Sequence, residues 1–158
     1  YWLNLSAVHQ VDEIIKVAKE TKVSLDNDIE VEFIHKGVAV EVYADKKLLR
    51  YILTNLLNNA IKYSGESHKI IVTLNTSFRK KMAISIEDFG IGIPEESLSQ
   101  IFNKFARAEN VGKIPGTGMG LSIVKHLLQL HNGKIDIKSK LNKGTTVTID
   151  LPVEYKQG

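Results

Sequence analysis

NLLNNAIKYS, from Asn55 to Ser64, is the second half of a segment that opens at Asp45 and reads as one long helix. Asp45 is a good N-cap, because its carboxylate can accept from the unpaired N–H groups of a first turn. Leu49, Leu53, Leu56 and Ala60 recur at helical spacing and can face a core. Asn55, Asn59 and Lys62 lie on another side, within an arc of roughly 60° at about 100° per residue. Asparagine is a modest helix former, so two of them on one stripe with a lysine need an exposed position or a task. The helix is expected to run to about Tyr63, with Gly65 ending it.

The segments around it alternate between helix and strand patterns. Upstream, Val8, Val11, Ile14, Ile15 and Ala18 have the spacing of an amphipathic helix over Val8 to Lys22, so residues 1–25 read as a helical lead-in. Ile29 to His35 and Val38 to Tyr43 read as strands, with Lys36-Gly37 as a hairpin turn between them. Lys69 to Asn75 and Met82 to Glu87 are strands rich in isoleucine and valine. Pro94-Glu95-Glu96 places proline and acids where a helix starts. Met119 to His131 reads as a helix stopped by Asn132-Gly133. Ile135 to Ser139 and Thr145 to Leu151 alternate as strands, joined by a turn from Leu141 to Gly144. This order predicts an α+β fold: a two-layer α/β sandwich whose mixed, mainly antiparallel sheet is covered on one face by helices.

Composition sets the class. A chain of 158 residues fits a single domain, 1–158, and buries roughly 70% of its unfolded surface. Its 43% hydrophobic and 25% charged content is that of a soluble globular chain. The net charge of +3 is mild and its basic residues are scattered, which argues against a nucleic-acid partner. No apolar run approaches the roughly 20 residues of a membrane span. With no cysteine there is no disulfide or thiolate metal site, as in a reducing compartment. A cytoplasmic location is expected. The chain opens on Tyr1 without a methionine, and is expected to be a fragment of a larger protein.

Two further stretches carry chemistry. In DFGIGIP (Asp88 to Pro94), an aspartate at a strand end precedes a turn with little side chain. Asp88 can accept from an exocyclic amine such as that of adenine. Gly90 and Gly92 permit close backbone approach, while Ile91 and Ile93 can form an apolar wall. The same string reads equally as a plain strand-to-loop Asx turn. In GTGMGLSIVK (Gly116 to Lys125), Gly116, Gly118 and Gly120 stand at the mouth of a helix, where free N–H groups and the dipole attract phosphate. Neither Rossmann nor P-loop spacing is present. The asparagine stripe has two readings as well. It is a solvated face, or a site where carboxamide oxygens hold a hard cation such as Mg²⁺ and Lys62 balances phosphate charge.

The three stretches, in this order and spacing, resemble the ATP-binding domain of sensor histidine kinases, a branch of the superfamily that includes gyrase and a heat-shock chaperone. The resemblance covers about Asp45 to Pro152. It implies ATP and Mg²⁺ as cofactors. Asn59 then matches the magnesium ligand, Asn55 and Lys62 lie near the phosphates, and Tyr63 lies beside base and ribose. Asp88 reads the adenine amine with help from Thr145, and Gly90, Gly92 and Ile93 line the base. Gly116, Thr117, Gly118, Met119, Gly120 and Leu121 form the phosphate side. Phe102 and Phe105 match the family's phenylalanine box, and Arg107 matches a position that often reaches the γ-phosphate. Asn103 to Thr117 corresponds to a lid, expected to be mobile without nucleotide.

The resemblance also divides chemistries. ATP hydrolases of the superfamily carry a glutamate general base four residues before the magnesium asparagine; here that residue is Asn55, which has no useful basicity. The expected activity is protein-histidine kinase, with catalytic roles for Asn55, Lys62 and Arg107. None of His9, His35, His68, His126 or His131 has the acceptor context, so the phosphoacceptor is expected on a separate histidine-bearing dimerisation domain of the same protein. A homodimeric parent, free to be membrane-anchored, and a downstream response regulator follow from the resemblance. An anti-sigma serine kinase and a non-catalytic ATP-binding regulatory module are the alternatives.

Overall fold

A computed structural model of the chain describes residues 5–9, 16–17, 19–20, 28–38, 41–78, 80–103 and 120–153. Two strands, β1 (Leu5–His9) and β3 (Glu41–Asp45), form a small antiparallel sheet with Val8 opposite Val42. Five others form the main sheet in the order β2 (Glu30–Lys36), β4 (Lys69–Asn75), β5 (Lys81–Asp88), β7 (Gly144–Pro152) and β6 (Lys134–Lys140). β2 and β4 run parallel, and every other neighbouring pair is antiparallel.

Alternation decides which face is covered. Ile70, Val72 and Leu74 of β4, Met82, Ile84 and Ile86 of β5, and Ile149 and Leu151 of β7 are buried on one face. Thr73, Ser85 and Thr148 align across the other face, which stays polar. The covering layer is α1 (Lys46–Lys62) and α3 (Gly120–Leu130), with the single turn α2 (Glu95–Leu98) near β6. α1 buries Leu49, Ile52, Leu53, Leu56, Leu57, Ala60 and Ile61, and α3 buries Val124 and Leu128. Each fully buried aliphatic side chain contributes about 1.5–3 kcal/mol relative to exposure. The two-layer, mixed and mainly antiparallel architecture is the one the sequence predicts.

α1 begins as expected. Asp45 has extended backbone and its Oδ1 accepts from Lys47 N (3.1 Å) and Leu48 N (3.3 Å). It ends at a Tyr63 C-cap, whose N–H donates to Asn59 O. Gly65, at φ +63, then opens a 3-10 turn over Gly65–Ser67.

Two expectations fail. Ile29 to His35 and Val38 to Tyr43 are not a hairpin: β2 pairs with β4, in register from Glu30↔Lys69 to Lys36↔Asn75, while β3 joins β1 in the other sheet. Gly37 is a true turn residue (φ +94), but the chain leaves it for a different sheet. The helical lead-in of 1–25 is also wrong at its start, since Leu5–His9 is a strand. Among the described residues of that predicted helix, 16–17 and 19–20 are helical and 8–9 are strand, and its other positions lie outside the described residues. Val17 is buried in the core there.

Candidate functional site

Asp88 is the last residue of β5 and points to the helix-covered side, where its row reads Ile70, Asp88, Thr145, Ser139 across four strands. The apolar face of the sheet therefore ends in three polar side chains. Asp88 is 6% exposed, and its Oδ1 accepts from Gly90 N at 3.0 Å. Burial pushes its carboxyl up to about 6; the backbone amides of Gly90 and Thr145 pull it down, and the neighbouring charge of Glu87 pushes it up. This is a carboxylate kept at a cost, with no salt bridge to it among the described residues.

The loop after Asp88 is clamped from two sides. Ile91 N–H donates to Tyr63 O (3.1 Å) at the end of α1, and Asn142 N–H donates to Ile91 O (2.8 Å) from the β6–β7 turn. Ile93 N–H donates to Ser139 Oγ at 2.8 Å. Ser139 donates its one proton to Gly144 O (2.9 Å), so the contact with Thr145 Oγ1 (2.8 Å) has threonine as donor. Glycine is required here by space. A Cβ on Gly90 would stand 1.7 Å from Tyr63 O, and one on Gly92, at φ +69, 2.1 Å from Lys140 O. Ser139 was not legible as a site residue. Its signal is a hydroxyl on the inward row of β6, where Ile135 and Ile137 precede it.

The third wall is the stripe on α1. Asn55 and Asn59 are half-buried and Lys62 is exposed. Asn59 Nδ2 donates to Asn55 Oδ1 at 3.5 Å. Gly120 opens α3 directly against Asn55: a Cβ there would lie 2.4 Å from Asn55 Nδ2. Leu121 packs against the core. α1 is thus the common element. Its Asn55 meets the start of α3, and its Tyr63 carbonyl meets the loop of Asp88. Phe102 is half-buried with Lys125 Nζ 5.0 Å from its ring centroid. Phe105, Arg107, Gly116, Thr117, Gly118 and Met119, with most of the predicted lid, lie outside the described residues.

The donor set fits a nucleotide-borne cation better than a resident one. Among the described residues no three His, Cys, Asp or Glu side chains gather as metal ligands. On α1 the oxygens beside Lys62 are those of the Asn55 and Asn59 amides, which suits Mg²⁺ carried mainly by phosphate and water. Of the histidines, His35, His68 and His126 are exposed. His131 is buried and fully used: Nδ1 donates to Leu127 O (2.8 Å) and Nε2 accepts from Asp45 N–H (3.0 Å). That makes it a strut between the end of α3 and the cap of α1, beyond the helix-end role its position suggests.

Comparison with known proteins agrees with this geometry. Residues 44–155 match the family described as histidine kinase-, DNA gyrase B-, and HSP90-like ATPase. The chain is 37% identical over 121 residues to the sensor histidine kinase YvrG of Bacillus subtilis, covering 76% of this chain and 21% of that protein. It is 34% identical over 143 residues to the adaptive-response sensory kinase SasA of Rippkaea orientalis, covering 90% and 35%. The chain therefore spans about a fifth to a third of the length of these relatives. Among solved structures, a mycobacterial sensor histidine kinase, MprB, superposes with a TM-score of 0.84 at 26% identity, over 94% of this chain and 99% of that one. The catalytic domain of histidine kinase ThkA gives 0.81 at 27% identity, over 96% and 97%. With Asp88, the clamped glycine loop and the asparagine stripe assembled around α1, this chain belongs to the family of histidine kinase-, DNA gyrase B- and HSP90-like ATPases.

Proposed function

We propose that this chain is the ATP-binding catalytic part of a two-component sensor histidine kinase, and that it delivers the γ-phosphate of Mg·ATP to a histidine on a separate dimerisation domain of the same protein. The observation that carries this reading is the pair of half-buried asparagines on α1, with Asn55 where a hydrolase of the superfamily has its glutamate base. A carboxamide cannot take a proton from water at neutral pH, so bound ATP is spared hydrolysis. The sensor-kinase relatives support the same conclusion.

In this reading Asp88, buried and pushed up to about 6 yet still mainly ionised at neutral pH, accepts from the adenine amine. Thr145 and the rigid 88–93 loop hold the base against Tyr63, Ile91 and Ile93, while Gly90 and Gly92 let the backbone approach it. Asn59 is the protein's ligand to Mg²⁺, Asn55 lies beside it, and Lys62 faces the phosphates. The resemblance assigns Gly116, Thr117, Gly118, Met119, Gly120 and Leu121 to the phosphate side and Arg107 to the γ-phosphate. The metal, when bound, neutralises charge on the phosphate oxygens during transfer. What the protein supplies is chiefly position and exclusion of water. A homodimeric parent and a response regulator that receives the phosphoryl group complete the proposal.

The test mixes the chain, radiolabelled ATP and a helical hairpin bearing the acceptor histidine. Acid-labile, base-stable label on the hairpin is expected, with almost no ATPase activity from the chain alone. Base-labile phosphoserine on a partner would indicate a serine kinase instead. Nucleotide binding without transfer would indicate a regulatory module.

A further inference from the structure

We infer that Asn55 is a positioning residue: its carboxamide, backed by Gly120, orients the amide of Asn59 so that Asn59 presents oxygen, not nitrogen, to a cation. The inference deepens the proposed function and rests on its reading of Asn59 as the metal ligand.

A carboxamide has one acceptor end and one donor end of almost equal size. A metal ligand must show only the acceptor, so a freely turning Asn59 would spend much of its time presenting N–H₂. On α1 the residue four positions earlier is on the same face. There, Asn55 Oδ1 accepts from Asn59 Nδ2 at 3.5 Å, which assigns the nitrogen of Asn59 to its helix neighbour and leaves its oxygen for the site. At that length the bond is loose and has room to shorten once a cation draws on the oxygen.

Asn55 in turn needs its own support, and the first turn of α3 provides it. A Cβ at Gly120 would come within 2.4 Å of Asn55 Nδ2, 2.9 Å of Oδ1 and 3.0 Å of Cγ. The carboxamide occupies the volume that any side chain at 120 would take. Glycine at this position therefore does more than free the backbone for phosphate. It leaves a slot in which one amide plane is held, and the slot joins the phosphate side of α3 to the cation side of α1. A direct contact from Asn55 to phosphate makes a different prediction, so the two roles separate experimentally.

The experiment uses the whole chain as wild type, Asn55→Ala, Asn55→Asp, Gly120→Ala and Asn59→Ala. Two quantities are measured: ATP affinity with Mg²⁺ and with chelator, and side-chain ¹⁵N relaxation of the Asn59 NH₂ group without nucleotide. Asn55→Ala should lose at least about tenfold of the Mg²⁺-dependent gain, read as the ratio of its affinities with Mg²⁺ and with chelator, as for loss of a metal's supporting partner. Its Asn59 NH₂ should become mobile. Asn55→Asp keeps an acceptor oxygen and should keep that group ordered, whereas Gly120→Ala should mobilise it. Asn59→Ala marks complete loss of the metal gain. An Asn55→Ala protein whose affinity falls equally with and without Mg²⁺, or whose Asn59 NH₂ stays ordered, overturns the inference. Should no variant or wild type bind ATP, the proposed function fails, while the relaxation arm still decides the orientation of Asn59. If Gly120→Ala does not fold, the two Asn55 variants decide the matter by themselves.

Discussion

At the scale of a single residue, Asp88 sets its proposed role against stability. Its folded carboxyl, pushed up to about 6 from an ordinary 3.8, binds a proton more tightly than the unfolded chain does. The stability it contributes is therefore complete below about pH 4 and is lost as pH rises through about 6. At neutral pH the ionised group costs up to about 3 kcal/mol, the free-energy equivalent of that rise. Asp88→Asn removes the charge and keeps an oxygen for Gly90 N–H. Some of the gain is offset by a new N–H₂ that needs a partner, leaving about 1 kcal/mol of net stabilisation. Thermal melts across pH should show the D88N protein more stable than wild type near neutral pH and without the slope between about pH 4 and 6. ATP titration of the same protein should show weakened binding with and without Mg²⁺. A variant less stable than wild type at neutral pH would remove the desolvation argument.

At the scale of elements, the joints matter more than the elements themselves. His131 ties the end of α3 to the start of α1 through Asp45 N–H. His131→Ala removes that buried hydrogen bond and opens a cavity, at a cost of about 2–4 kcal/mol. Denaturant unfolding should show this loss, and amide exchange should rise first at 45–48, where the α1 cap is. Exchange spread evenly through the domain would mean that His131 only fills space. Joints were also what the sequence hid. α1 and the buried rows of β4, β5 and β7 were readable because a period of 3.6 or 2 fixes faces locally. The strand β2 was readable too, but its partner was not: the Lys36-Gly37 turn looks like a hairpin, and only tertiary packing sends β2 to β4 and β3 to β1. Leu5–His9 was misread because a short apolar run satisfies both periods. Of the candidate site, Asn55, Asn59 and Asp88 could be singled out from sequence, since helix face and strand end are local properties. Ser139 could not, because its partners Ile93, Gly144 and Thr145 meet it only through sheet register.

For the whole molecule, occupancy of the site should be felt as stability, because α1, the 88–93 loop and α3 are tied to each other around it. Ligand at about a hundred times its dissociation constant adds about 2.7 kcal/mol. For a domain of this size that corresponds to a rise in Tm of about 5–10 °C. Differential scanning calorimetry should find this shift with Mg·ATP and a smaller one with Mg·GTP at equal concentration, since the proposed function has Asp88 accept from the adenine amine. Equal shifts would take base reading away from Asp88.

The strand order has a further consequence, for synthesis. Among the described strands of the main sheet β7 is made last, yet it lies inside the sheet, between β5 and β6. As the chain leaves the ribosome, β4 and β5 can close early as a local hairpin, but β5 must then wait with a bare apolar edge until residue 152 has emerged. β6 arrives sooner and has no neighbour to join. A nascent chain of this fold is thus exposed to wrong pairing until β7 has been made, which is when chaperone cover is most needed. A chain stopped at Lys143 should stay in that state: it should give no cooperative melt, bind a hydrophobic dye and aggregate, with the sequence of α1 fully intact. A monomeric, cooperatively melting product would show that β2, β4 and β5 close a core without β7.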